Sequence, residues 1–284
     1  MLQATKTLCQ LYGIQPRRSK GQNFLINAQV YDQIVESAEL DKTASVLEVG
    51  PGLGFLTLAL AQTAKQVLAV ELDDRLAEVL TTRLHAEAVD NVQVINANIL
   101  DWPHLLEIPK NFLTKPYQVV ANLPYNITSV FLRRFLELDN RPTSLVLLLQ
   151  QEVAERLSAQ PGQMSLLAIS VQYYCQPQVL FKVKATDFWP APKVDSAVVK
   201  LLTKKQKDLP LSAVETKLFF RLCRIGFSAK RKMLKNNLAN GLHLAQDQIT
   251  PHLIAVGLEV KIRAQDLAVA DWLKLFGRLR QFMV

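Results

Sequence analysis

Apolar residues along this chain follow two regular spacings. From Ala28 to Leu40 they recur at Val30, Ile34, Val35 and Ala38, which is one face of a helix. Ser45–Val49 (SVLEV) is instead a short, nearly continuous apolar run. A glycine-rich turn follows from Gly50 to Gly54, and then a helical stretch from Phe55 to Thr63. The same sequence of events repeats. QVLAV at Gln66–Val70 precedes a helix through about His85; VQVIN at Val92–Asn96, YQVVA at Tyr117–Ala121 and SLVLLL at Ser144–Leu149 are three further strands. Apolar strands separated by helices predict an α/β fold with a parallel sheet covered on both faces.

The texture changes after Gln150. QEVAERL starts a helix, and SLLAISVQYYCQPQVLFKV reads as a helix running into a strand. The proline-rich FWPAPKVDSAVVKLL ends in a last strand. Lys204–Pro210 (KKQKDLP) looks like a linker, and the pattern beyond Leu211 is helical. These features predict a domain over residues 1–205 and a small all-helical one over residues 206–284. Residues 1–25, with Lys6, Arg17, Arg18 and Lys20, read as a basic approach segment.

Charge adds a partner class. The net charge of +8 favours polyanions, nucleic acid above all. Cys9, Cys175 and Cys223 are odd in number and far apart, so they predict neither a disulfide framework nor a zinc site. The four histidines are equally scattered, and no metal is expected. No apolar run reaches the ~20 residues that span a bilayer. The start of the chain has no apolar signal core, so the expected compartment is the cytoplasm, with no membrane partner.

The turn EVGPGLGF, Glu48–Phe55, lies between a strand and a helix, where open α/β sheets bind nucleotide-like ligands. Its glycines, Gly50 and Gly52 among them, allow a tight turn and close backbone approach. Phe55 stands where a dinucleotide fingerprint needs a third glycine. Glu71 ends the next strand, and a carboxylate there can accept both hydroxyl protons of a ribose. The competing role, a surface acid at the start of the next helix, is the weaker one beside such a loop. Asn98 follows the third strand, either as an adenine contact or as an ordinary turn residue. The set fits an adenosine without a pyrophosphate, as in S-adenosyl-L-methionine.

NLPYNIT, Asn122–Thr128, follows the fourth strand. A purine amine is a poor nucleophile because its lone pair is delocalised. The Asn122 side-chain oxygen and a carbonyl near Leu123 can accept both of its N–H bonds and favour a pyramidal nitrogen. Pro124 stiffens that array, and Tyr125 offers a face for a flipped base. Phe188 and Trp189 either form a second aromatic wall or pack in the core.

GQNFL, EVGPGLG, VELD, NLPYNIT, FWPAPKVDSAVV and GFSAKRKMLKNNL, in that order, resemble the ribosomal RNA adenine N6-dimethyltransferases over roughly residues 20–240. The resemblance implies a Rossmann-like S-adenosylmethionine-dependent methyltransferase domain with a smaller helical domain. It implies dimethylation of two adjacent adenosines near the 3′ end of 16S rRNA, and a part in small-subunit assembly. It also assigns Asn23, Leu25, Gly50, Glu71 and Asn122 to the cofactor, and Tyr125 and Phe188 to the target base. Where the family usually has Gly-Asp this chain has Ala97-Asn98, which keeps an acceptor but loses its charge.

Lys230, Arg231, Lys232 and Lys235, with Arg224 and the linker residues Lys204, Lys205 and Lys207, are candidates for phosphate contacts. DNA is not an expected substrate, and nothing suggests an obligate oligomer. Two rival readings are a large-subunit (23S) rRNA adenine methyltransferase of the Erm type, and a non-catalytic RNA-binding assembly or transcription factor on the same fold.

Overall fold

The structure is a computed structural model that describes residues 1–16, 22–105 and 107–283, with the Leu113 side chain left out. Arg17, Arg18, Lys20 and Gly21, part of the basic segment and of GQNFL, lie outside the described residues. The chain divides into two compact units, residues 1–154 with 176–203, and residues 155–175 with 204–284.

The first unit begins with α1 (Leu2–Leu11), β1 (Phe24–Leu25), α2 (Ala28–Ser37), β2 (Ser45–Val49), α3 (Phe55–Thr63), β3 (Gln66–Glu71), α4 (Asp74–Ala86) and β4 (Val92–Asn96). It continues with α5 (Lys110–Thr114), β5 (Gln118–Asn122), α6 (Thr128–Leu136) and β6 (Ser144–Gln150), from which α7 (Gln151–Leu157) leads out. After α8 (Leu166–Tyr174) come β7 (Cys175–Val183), β8 (Phe188–Trp189) and β9 (Ser196–Thr203). Seven strands form one sheet in the order β4-β3-β2-β5-β6-β9-β7. The five expected strands pair in parallel, while β9 runs antiparallel to β6, from Ser144↔Leu202 to Gln150↔Ser196. Val119, Val120, Leu145, Leu147 and Leu148 are fully buried, as continuous apolar strands require. A separate ribbon pairs Phe24 with Trp189 and Leu25 with Phe188.

Helix α1 stands where the basic segment was expected. Its buried residues, Thr5 and Cys9, are four apart, but neither is strongly apolar, so the stripe was hidden. Cys9 packs with Phe24, Leu53, Leu76 and Val79.

The second unit adds α9 (Ala213–Gly226), α10 (Leu234–Leu242), α11 (Gln246–Ala255) and α12 (Val269–Leu279). A capping box starts α9: the Ser212 hydroxyl accepts the Glu215 N–H, and the Glu215 carboxylate accepts the Ser212 N–H. Trp272, Leu275, Phe276 and Leu279 form the buried stripe of α12. The sequence reading put a single cut near residue 205; this compact unit takes in residues 155–175 as well as residues 204–284. Tyr173 explains why: its ring stacks on Phe219 at 5.2 Å between centroids, and its hydroxyl meets that of Thr216 at 2.9 Å. Long-range packing of this kind leaves no mark in the local sequence pattern. Lys204 is likewise no free phosphate ligand. Its Nζ donates to the carbonyls of Gln172 and Tyr173, at the end of α8, at 2.8 and 3.1 Å.

Candidate active site

β4, β3, β2 and β5 are neighbours in the sheet, so the turns that follow them converge. They line a cavity of about 240 Å³. Ten of the expected residues meet there: Asn23, Leu25, Gly50, Gly52, Glu71, Asn98, Asn122, Leu123, Pro124 and Tyr125.

The glycine loop needs its glycines for two reasons. Gly52 has φ of +58°, and a Cβ there would lie 3.3 Å from the Phe24 ring. Gly54 has φ of +81°, and its Cβ would lie 2.3 Å from Leu80 Cδ1. The first keeps the loop thin beside the cavity; the second lets α3 start against α4.

Glu71 is buried and holds this loop. Its carboxylate accepts the Gly52 N–H at 3.0 Å and the Asp73 N–H at 2.9 Å. Burial pushes its pKa up, and these bonds to backbone N–H groups oppose the rise. The helix-start role belongs to Asp73 instead, whose side chain accepts from Leu76 N at the start of α4. Each Glu71 oxygen accepts one of these bonds, the Leu72 N–H adds a further one to the carboxylate, and the residue lines the cavity.

Asn98 serves its turn. Its side-chain oxygen accepts the Leu100 N–H at 3.0 Å and caps the short helix Ile99–Asp101. The same oxygen has a second lone pair, and the residue lines the cavity.

Asn122 is the last residue of β5, and the Leu123 N–H extends the pairing by donating to Leu148 O at 3.2 Å. The Asn122 side chain makes no hydrogen bond among the described residues. Pro124 lies directly under the glycine loop, with its Cδ 3.5 Å from where a Gly50 Cβ would stand. The Tyr125 hydroxyl meets the Ser196 hydroxyl at 2.8 Å, and this fixes the ring from the first residue of β9. Burial raises the Tyr125 pKa, which keeps the phenol neutral.

Phe188 departs from the expected second wall. It is 3% exposed and packs with Leu25, Val30 and Ile34 beneath the cavity, which it does not line. Trp189 packs on the other side of the ribbon, near Phe24 and Leu53, with Lys6 Nζ 5.9 Å from its ring centroid. Successive residues of a strand face opposite ways, so two adjacent aromatics cannot share one wall.

Sequence reading missed several lining residues. Glu48 was visible only as an acid ahead of the glycines, with nothing to show its burial. Tyr31 and Leu72 also line the cavity; Tyr31 sits on an ordinary helical pattern, and Leu72, 65% exposed, reads as a turn residue.

The basic candidates lie in the second unit. Lys230, Arg231 and Lys232 are exposed in the turn between α9 and α10, where the sequence pattern suggested helix; Lys235 is in the first turn of α10. The buried Asn237 amide shapes that turn by donating to Gly226 O at 2.6 Å and Ala229 O at 3.1 Å. Among the described residues no three His, Cys, Asp or Glu side chains group to hold a metal, and no helix is long and apolar enough to cross a membrane.

Gly54→Ala tests how the loop is built. Left-handed backbone and a collision with Leu80 are expected to lower stability by roughly 1–3 kcal/mol in urea unfolding. An unchanged midpoint would contradict the packing described.

Comparison with known proteins places this geometry. Residues 13–281 match the family "Ribosomal RNA adenine dimethylase". The "Ribosomal RNA small subunit methyltransferase A" of Dehalococcoides mccartyi is 39% identical over 272 residues, 96% of this chain and 91% of that protein. That of Streptococcus equi subsp. zooepidemicus is 39% identical over 285 residues, 98% of this chain and 96% of its own. Among solved structures, a dimethyladenosine transferase from Plasmodium falciparum aligns with a TM-score of 0.77 at 27% identity, covering 91% of this chain and 98% of its own. The 23S rRNA methyltransferase ErmE aligns at 0.72 and 28% identity, covering 91% of this chain and all of its own. With its glycine loop set against an NLPY turn and this match over nearly its whole length, the chain belongs to the ribosomal RNA adenine dimethylase family.

Proposed function

We propose that this protein is an S-adenosylmethionine-dependent rRNA methyltransferase. It dimethylates the N6 amines of two adjacent adenosines near the 3′ end of 16S rRNA, in the small ribosomal subunit. The observation that carries this reading is the meeting of the glycine loop and the NLPY turn on one cavity. The relatives named for the small subunit are 39% identical, against 28% for ErmE, which supports the small subunit over the large.

The residues present fit an adenosine-bearing donor. Glu71 offers lone pairs for ribose hydroxyls, Leu72 and Ile99 offer apolar surface, and the thin backbone at Gly50 and Gly52 allows close approach. The donor, when bound, supplies a methyl group on an electron-poor sulfonium. The protein then needs no nucleophile of its own. The Asn122 oxygen, which has no partner among the described residues, accepts one N–H of the target amine. A carbonyl of the rigid Leu123–Pro124 backbone accepts the other. Both bonds strengthen as positive charge develops on the nitrogen, so they favour the transition state over the ground state. Tyr125, held by Ser196, supports the ring of the base. The exposed cations at Lys230, Arg231 and Lys232, together with Lys235, contact phosphates, while the pocket selects the base. The protein acts as a monomer in the cytoplasm.

Purified protein, labelled donor and unmethylated ribosomal subunits test the reading. Dimethyladenosine is expected in 16S rRNA and not in 23S rRNA, as mapped by mass spectrometry. Asn122→Ala is expected to slow transfer by about 100-fold or more with an unchanged unfolding midpoint. Label in 23S rRNA alone, or near-normal turnover in that variant, would overturn it.

Neutralising Lys230, Arg231 and Lys232 together is expected to weaken binding to the small subunit and to reduce the slope of log affinity against log salt by about 2 to 3. An unchanged slope would remove these residues from the interface.

A further inference from the structure

Ser196 does not line the cavity, yet it is the hydrogen-bond partner of a residue that does. It is fully buried, and its hydroxyl lies 2.8 Å from that of Tyr125. Backbone pairing fixes its place. Ser196 stands opposite Gln150 in the register of β6 and β9, and the carbonyl of the preceding Asp195 accepts the Gln151 N–H at 3.0 Å. The Asp195 side chain accepts the Ala185 N–H at 2.8 Å. The Tyr125 hydroxyl is therefore tied to a strand of the sheet, while its backbone belongs to the turn that leaves β5.

Dimethylation asks one nitrogen to react twice, and the two steps differ. In the first, the amine brings two N–H bonds to two acceptors. Within the turn, the Pro124 carbonyl already accepts the Ile127 N–H at 3.2 Å and the Thr128 hydroxyl at 3.3 Å, which leaves the Leu123 carbonyl and the Asn122 side-chain oxygen for the amine. The nitrogen lone pair forms the N–C bond, the S–C bond breaks with its electron pair left on sulfur, and the nitrogen sheds one proton to solvent. The second step repeats this on a nitrogen that carries one methyl group and one N–H. The methyl group stands where an N–H stood, so one acceptor has nothing to accept. A single hydrogen bond does not fix the direction of the lone pair, because the amine can turn about it. Orientation then rests on the ring of the base. In the acceptor turn the residue that supports this ring is Tyr125, since Phe188 packs beneath the cavity.

We infer that Ser196 is a positioning residue for the second methyl transfer: by holding the Tyr125 hydroxyl, it fixes the ring that orients an adenine left with a single N–H. The inference rests on the reading of the NLPY turn as the acceptor of an adenine amine. Without the Ser196 hydroxyl, the phenol of Tyr125 loses this partner and the ring is free to shift. A small shift is tolerated while two hydrogen bonds steer the nitrogen, and it is costly when only one does. Ser196 thereby sets the product as dimethyladenosine rather than the monomethyl form, although it touches neither donor nor base.

Single-turnover methylation of unmethylated small subunits by the full chain, with the nucleosides resolved by mass spectrometry, gives the two rates separately. Ser196→Ala is expected to slow the second transfer by about tenfold and the first by no more than about threefold, so that N6-methyladenosine accumulates. Calorimetry with S-adenosylmethionine alone is expected to give an unchanged affinity, which keeps the effect out of the donor site. Tyr125→Phe removes the same hydrogen bond from its other side and reads it independently of how Ser196→Ala folds. It is expected to give the same product mixture, and the double variant is expected to do no worse than either single one. Equal slowing of both transfers, slowing of the first alone, no slowing, a fall in donor affinity, or additive effects in the double variant would overturn the inference and leave the proposed activity standing. No N6-methylation by the natural protein would overturn both.

Discussion

The cavity is built around one buried carboxylate. Glu71 ends a buried strand, and its oxygens accept N–H groups from the glycine loop and from the segment that starts α4. Placing a carboxylate there is unfavourable, and the two backbone bonds offset part of that cost. The gain is geometric. The loop is tied to the strand end at Gly52, and the same side chain faces the cavity. The residue that holds the loop therefore also lines the cavity.

The sheet brings the rest to the same place. Parallel pairing puts Val49 beside Val70 and Glu71 beside Asn96, so successive turns leave the sheet at one level. β5 pairs with β2 on one side and β6 on the other. The NLPY turn thus rises next to the glycine loop, where Pro124 Cδ lies 3.5 Å from the place a Gly50 Cβ would take. Ser196 completes the arrangement from the antiparallel strand β9, which explains why the PKVDS segment matters to a site more than 70 residues earlier in the chain. The NLPY turn and the glycine loop are thus set side by side by the sheet and by the rigid Pro124 ring.

Much of this was legible in the sequence because it rests on local rules. Apolar runs marked the five parallel strands, and glycines marked the loop. What was not legible depends on partners far away in the chain. Helix α1 buries a threonine and a cysteine, which carry little hydrophobic signal. Residues 155–175 join the helical unit because Tyr173 finds Phe219 there. Phe188 faces the core because its neighbour on the ribbon is Leu25. Lys204 reads as a linker charge, yet it closes the end of α8.

The central claim is that Glu71 both shapes the loop and receives the donor. Calorimetry of S-adenosylmethionine binding to Glu71→Gln tests it most directly. The amide keeps the shape but turns one acceptor into a donor, which then faces a backbone N–H. A loss of donor affinity of about tenfold or more, with the fold retained by circular dichroism, is the expected result. Unchanged affinity in a folded Glu71→Gln protein would contradict the account.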